Sequence, residues 1–249
     1  MKKNIETSVV IPAFNEANSL VELLDRCART MNKRFKNNFE ILIVDDGSTD
    51  ETQLILSRLV KKYSFLNGII LRTNFGKSIA LMSGFSRAKG KFIVTLDADL
   101  QDRPEEIPML ISKLKKDYDL VNGWRFKRKD SWFRKLGSHF FNFVVRRYTG
   151  LSLRDENCGF KAYRVSTLSA FNFDVNGYAF PIQFWVQAAA RKLRVSEIPV
   201  RMIYNDPNRT FGGQLDDPVK RLDHYRAVLC NELSKNAQAL PNALEHVPC

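Results

Sequence analysis

Long apolar runs are missing from this 249-residue chain. No stretch of about 18 apolar residues occurs, so no bilayer-spanning helix is expected. The N-terminal MKKNIETSVVIPAF lacks an apolar core followed by a small-residue cleavage site, and no secretory signal peptide is expected either. Cysteine is scarce, with only Cys27, Cys158, Cys230 and Cys249, and no C-x-x-C pair occurs. A zinc site and a disulfide scaffold are therefore not expected, and a reducing compartment fits best. Acidic residues are outnumbered: 39 Lys and Arg against 27 Asp and Glu leave a formal charge of +12. Such a balance favours an anionic partner, whether a phosphate-bearing substrate, a membrane surface or nucleic acid. At 44% hydrophobic and 27% charged, the composition is that of a globular protein and excludes disorder for the bulk of the chain.

Short β-branched runs alternate with helical patterns through the first half. Ser8–Ala13, Phe39–Val44, Gly68–Leu71 and Lys91–Leu96 read as strands. Between them, Ala17–Met31, Asp50–Tyr63 and Gly76–Ala88 space their apolar residues as helices do. Continuous apolar strands separated by helices predict an α/β fold with a mostly parallel central sheet and helices on both faces. Further on, Glu105–Lys116, Pro181–Lys192 and Pro218–Leu233 read as helices, and Leu120–Asn122 and Val195–Val200 as strands. No internal repeat or linker is visible. One domain over 1–233 is expected, with a nucleotide-binding half over 1–123 and an acceptor-binding half over 124–233. Residues 234–249 read as a loose tail.

Ligands of such sheets gather beyond the carboxyl ends of the strands. Three of those ends carry acids: Glu16 after the first strand, Asp45 and Asp46 after the second, and Asp97, Asp99 and Asp102 after the fourth. Capping explains Asp50 at the start of a helix. It does not explain Asp97 and Asp99 as well. Residues two apart on extended chain share a side, and two carboxylates so placed gain by sharing a cation. Oxygen-only ligands select a hard ion, Mg²⁺ or Mn²⁺, whose remaining ligands usually come from substrate phosphates and water. Gly76-Lys77-Ser78 has the ending of a phosphate-binding P-loop. The earlier glycine that motif requires is Leu71, so the reading fails. Neither G-x-S-x-G nor G-x-G-x-x-G occurs, which removes the best support for a hydrolase or a dinucleotide enzyme.

Taken in order, VVIPAFNE, IVDDGSTDET, RTNFGKSIALMSGFSRAKG and VTLDADLQDRPEEI resemble the family-2 glycosyltransferases of the GT-A fold. The later GWRFKRKDSWFRKLGSHFFN and DENCGFKAYR are similar to the polyprenyl-phosphate glycosyltransferases, the group that includes dolichyl-phosphate mannosyltransferase. The resemblance runs from about Ser8 to Leu233. It implies an inverting, metal-dependent transfer of a hexose, mannose or glucose, from GDP-mannose or UDP-glucose to a polyprenyl phosphate. It further implies that Pro12, Phe14, Glu16, Val44, Asp46 and Asp97 line the donor nucleotide pocket and that Arg209 closes over the donor phosphates. Asp97, Asp99 and Gln101 would hold the metal. Arg125, Arg134 and Ser138 would receive the acceptor phosphate, and Asp155 matches an acidic position important for catalysis, alongside Asp99 and Arg125.

Between Trp124 and Arg147 lie eight basic residues, one acid and seven Trp or Phe residues. A solvated charged face over core aromatics, nucleic-acid binding, and an amphipathic element at a membrane interface all fit that composition. No nucleic-acid module accompanies it. The expectation is peripheral attachment to an anionic surface on the cytoplasmic face of a membrane, with no nucleic-acid partner. Two alternatives stand beside this reading. One is a family-2 transferase that glycosylates a sugar hydroxyl, with Asp155 as its base. The other is a non-enzymatic basic adaptor or nucleic-acid binder.

Overall fold

The computed structural model describes residues 4–126, 143–168, 171–175, 179–203 and 218–240. Its strands are β1 (Thr7–Ala13), β2 (Phe39–Asp45), β3 (Leu66–Ile70), β4 (Phe92–Thr95), β5 (Leu120–Phe126), β6 (Lys161–Arg164) and β7 (Val195–Arg201). They form one sheet in the order β3-β2-β1-β4-β6-β5-β7. β1 is parallel to β2 and β4, β2 to β3, and β5 to β7, whereas β6 runs antiparallel to both β4 and β5. The sheet is thus mostly parallel, as expected, around one reversed strand. β6 is only Lys-Ala-Tyr-Arg. Four residues with a charge at each end offer no apolar run to read, so only its pairing partners make it a strand.

Helices α1 (Leu20–Phe35), α2 (Thr52–Lys62), α3 (Lys77–Arg87), α4 (Ile107–Leu114), α5 (143–149), α6 (Val165–Leu168), α7 (Phe180–Ala190) and α8 (Pro218–Lys235) surround it. Side-chain alternation along the strands builds two cores. Val9 and Ile11 of β1, Ile41 and Ile43 of β2 and Val94 of β4 join one cluster with the buried residues of α1 and α4. Val10, Leu42 and Ile93 point the other way, into a cluster with Leu81 of α3 and Phe184 and Trp185 of α7. In α1, Leu20, Leu23, Leu24, Cys27 and Met31 are buried at helical spacing. Each such aliphatic side chain contributes about 1.5–3 kcal/mol by leaving water.

α7 is buried around most of its circumference, two glutamines included. Gln183 and Gln187 each donate an Nε2–H to the fully buried Glu232 of α8, at 2.8 and 3.0 Å. That pair of bonds ties α8 to the sheet layer. The structure also moves the start of the tail. Residues after 233 continue α8 to Lys235, pass through a 3₁₀ turn at Ala237–Ala239, and bury Leu240 in the α7–α8 cluster. Weak periodicity concealed this because a single leucine supplies the anchor.

Cys27 and Cys158 are buried thiols. Cys230, on α8, is disulfide-bonded, a bond that the expectation of a reducing compartment did not include. Among the described residues no helix is long and apolar enough to cross a membrane.

Candidate active site

The strand order changes direction at β1: β2 lies on one side of it and β4 on the other. That switch point opens the crevice in which such sheets hold their ligands. Residues after β1 are stitched to those after β2. Asp46 donates its N–H to the Ala13 carbonyl at 2.8 Å, and Asn15 and Glu16 donate theirs to Ser48 Oγ and Thr52 Oγ1 at 2.9 and 2.8 Å. Asp50 accepts from the main chain of Thr52 at 2.9 Å and of Ala17 at 3.2 Å. Glu51, and not Asp50 as expected, stands at the N-cap of α2; Asp50 meets the Thr52 N–H from one residue earlier and links two loops. Gly47 turns the chain at φ +70°, and a Cβ there would lie 2.3 Å from the Thr73 carbonyl carbon. Only glycine lets the β2 loop pass so close to the loop after β3.

Asp46 is buried, and its two carboxylate oxygens accept the N–H groups of Phe75 and Gly76 at 2.9 and 2.8 Å. Burial raises its pKa, against those two bonds. The carboxylate thus shapes the 73–76 loop. Phe14 is exposed at the crevice, Pro12 is part-buried, and Glu16 accepts from Ser19 Oγ at 2.6 Å. Val44 is fully buried within β2, paired in register with Pro12.

Beyond β4 the chain folds tightly around its acids. The Asp97 N–H bonds Asp102 Oδ2 at 3.0 Å, and the Gln101 N–H bonds Asp99 Oδ1 at 3.0 Å, with Leu100 at φ +62° between them. Lys77, the first residue of α3, sets its Nζ 2.5 Å from Asp97 Oδ1. Asp102 is buried, and desolvation together with the Asp97 charge holds its carboxyl well above the usual range. Among the described residues no three His, Cys, Asp or Glu side chains form a ready-made ion cage. Asp97 and Asp99 still fit a hard cation that draws other ligands from a diphosphate and water. An ammonium already seated on Asp97 marks the spot as one where positive charge is favoured.

Arg125 belongs to β5, which runs on from its expected three residues to Phe126 because Trp124, Arg125 and Phe126 pair with β7. Its guanidinium grips Asp155 with two bonds, Nε to Oδ2 at 2.6 Å and Nη2 to Oδ1 at 2.8 Å, and its N–H adds a third at 3.1 Å. Burial opposes the arginine's charge, but the paired carboxylate outweighs it and the pKa rises. The segment from Asp155 to Lys161 spans the two halves of the crevice. Its first residue holds Arg125, and its Gly159 backs Asp97 so closely that a Cβ would lie 2.9 Å from Oδ1. The Thr95 hydroxyl bonds the Gly159 carbonyl at 2.7 Å, and the Trp185 indole bonds that of Glu156 at 2.9 Å. Carboxylates and arginine thus meet across one short loop. Arg134, Ser138 and Arg209 lie outside the described residues.

Three polar residues of this loop's surroundings carried no sequence signal. Glu197 accepts from Asn122 at 2.8 Å and from the Arg154 N–H at 2.8 Å. Lys161 donates to the carbonyls of Glu156 and Cys158, and burial lowers its pKa to about 8. Glu156 is fully buried, and among the described residues neither of its carboxylate oxygens has a hydrogen-bond partner. Burial, then the charges of Glu197 and Asp155, pushes its pKa up to about 8.

Residues 8–171 match the model of glycosyl transferase family 2. The chain belongs to that family. The motif resemblance at successive strand ends is thereby upheld, and the sheet is the GT-A fold it implied. This family-2 chain is 43% identical over 164 residues to the undecaprenyl-phosphate 4-deoxy-4-formamido-L-arabinose transferase of Aeromonas hydrophila, a stretch covering 66% of the chain and 50% of the relative. It is 40% identical over 195 residues to the enzyme of the same name from Edwardsiella ictaluri, covering 78% and 59%. The family-2 chain therefore spans about half the length of the curated relatives it matches. Among solved structures, glucosyl-3-phosphoglycerate synthase from Mycobacterium tuberculosis, in complex with Mn²⁺, uridine diphosphate and phosphoglyceric acid, superposes with a TM-score of 0.69 at 19% identity. That match covers 93% of the family-2 chain and 78% of the other. Staphylococcus aureus TarS (residues 1–349) superposes with a TM-score of 0.63 at 19% identity, covering 92% and 65%. At such identities the likeness is one of fold.

Proposed function

We propose that this chain transfers a sugar from a nucleotide-sugar to a polyprenyl phosphate with inversion at the anomeric carbon. The observation that carries the reading is the Arg125–Asp155 fork standing one loop away from the Asp97 and Asp99 carboxylates. An acid-lined half suits a cation-bridged diphosphate, and an arginine half suits an incoming phosphate anion. The relatives named as undecaprenyl-phosphate transferases support the same acceptor class.

Asp97, Asp99 and Gln101 would hold Mg²⁺ or Mn²⁺. The ion, when bound, supplies Lewis-acid stabilisation of the departing nucleoside diphosphate. Asp46 holds the 73–76 loop that walls the donor side, and Pro12, Phe14, Glu16 and Val44 line or underlie that pocket. Arg209, outside the described residues, would bind the donor phosphates. Arg125, with Arg134 and Ser138, positions the acceptor oxygen in line with the bond that breaks. Asp155 keeps the guanidinium turned toward the crevice. A phosphate monoester is already anionic at neutral pH, so the acceptor needs aiming rather than deprotonation.

The hydroxyl-acceptor alternative asks Asp155 to serve as a general base. Both of its oxygens accept from Arg125, which disfavours that role. The non-enzymatic adaptor reading has no use for the acid cluster. The sugar is the open variable: the relatives' names carry a modified arabinose, whereas the motifs suggested mannose or glucose. Incubation of GDP-mannose, UDP-glucose and a UDP-linked formamido-arabinose with a short polyprenyl phosphate and Mn²⁺ or Mg²⁺ tests the reading. An acid-labile lipid-phosphate sugar, identified by mass, is the expected product. A stable glycoside, or donor turnover indifferent to the lipid phosphate, would overturn it. Peripheral attachment is tested by flotation on anionic liposomes at low and high salt. Recovery with the liposomes is expected at low salt and is lost at high salt.

A further inference from the structure

We propose that Lys77 is a resident counter-ion of Asp97 that a divalent cation must displace, so that ion binding depends on the donor diphosphate. The inference rests on the reading of Asp97 and Asp99 as the ion-holding pair. Gly76-Lys77-Ser78 resembled a phosphate loop and lacked the glycine for one, and the fold gives its lysine another position. The main-chain N–H groups just before it, of Phe75 and Gly76, are tied to Asp46. The Lys77 side chain leaves the start of α3 and reaches across the crevice to Asp97 Oδ1 at 2.5 Å.

Asp99 and Asp102 follow Asp97 in the same tight turn, so the ammonium on Asp97 sits against an acid-rich rim. Gly159 lies behind Asp97, so close that a Cβ there would meet its two oxygens at 2.9 and 3.1 Å. A divalent ion on Asp97 would share one carboxylate with the ammonium, and two cations at such a separation repel. One must leave. Lys77 is able to: its side chain is 49% exposed, on a flexible four-carbon stem. The diphosphate that accompanies the ion supplies the replacement partner on the same rim. Exchange therefore proceeds without an unpaired charge, as Lys77 moves from carboxylate to phosphate while the ion takes the carboxylate. By linkage, ion and donor strengthen each other's binding through this lysine.

The test is a Mn²⁺ titration of nucleotide-free protein, followed by the electron paramagnetic resonance signal of free Mn²⁺. Lys77→Met is expected to bind Mn²⁺ about tenfold more tightly than wild type, and Lys77→Arg to resemble wild type. Adding UDP or GDP should shrink the gap between Lys77→Met and wild type. Unchanged or weaker Mn²⁺ affinity in Lys77→Met overturns the proposal. Asp99→Asn, placed in the Lys77→Met background, should weaken Mn²⁺ binding again. If it does not, the ion-site reading itself fails, and if it does while Lys77→Met matches wild type, only the counter-ion proposal fails. Absence of Mn²⁺ binding in every variant overturns both.

Discussion

On the donor side of the crevice, short side chains of Ser48, Thr52, Asp46 and Asp50 accept main-chain N–H groups from neighbouring loops. Around β5 and β6, charge answers charge: Arg125 grips Asp155, and Glu156, Glu197 and Lys161 stand close behind. The first arrangement shapes a pocket with many modest bonds to the main chain. The second holds one functional arginine in place at a standing desolvation cost. Shape on one side and charge on the other suit a donor recognised by its outline and an acceptor recognised by its anion.

The comparison breaks most visibly at the acid rim. Asp99→Ala is expected to lower transfer to a short polyprenyl phosphate on the order of 10³-fold or more, since charge stabilisation at the leaving group dominates such reactions. Near-normal turnover would detach Asp99 from the chemistry. Next comes the ion pair. Asp155→Asn leaves Arg125 half-partnered in a buried setting and should cost about 3 kcal/mol in urea unfolding. The paired replacement Arg125→Met with Asp155→Leu should recover most of that stability without recovering transfer. If activity returned with stability, the pair would be scaffold only.

Glu156 sharpens the contrast in pH. Its folded pKa of about 8 lies above the ordinary carboxyl value, so the folded state keeps a proton that the unfolded chain gives up. Stability from this residue is therefore fully present at low pH and is lost as pH rises toward 8, at up to about 1 kcal/mol per pH unit. Glu156→Gln should remove that slope. Its melting temperature relative to wild type is expected to be higher at pH 8 than at pH 5, and a constant difference would contradict the buried, protonated assignment. The smallest effect is expected at the junction of the two sides. Gly159→Ala presses on Asp97 and should raise the Mn²⁺ concentration for half-maximal activity several-fold, about 1 kcal/mol, with the KM for lipid phosphate little changed.

Much of the donor side was legible because its signals are local. An apolar strand followed at once by acids, such as Val44 then Asp45 and Asp46, or Leu96 then Asp97 and Asp99, needs only chain order and the parallel-sheet rule to place it. The acceptor side offered no such pattern. β6 is too short and too charged to read, and β5 hid its last residues inside a basic stretch that looked like surface. Lys77 was noticed, but for a motif it does not complete.

Chain order and residue type were enough for the α/β class, the acid-bearing strand ends and the family-2 motifs, because each rests on contacts within one strand–loop–helix unit. Tertiary structure alone decided that Asp155 serves Arg125, that Gly159 backs Asp97, and that Lys77 sits on that carboxylate. Those relations join separate elements across the sheet, where position depends on how strands pair and not on what lies next along the chain.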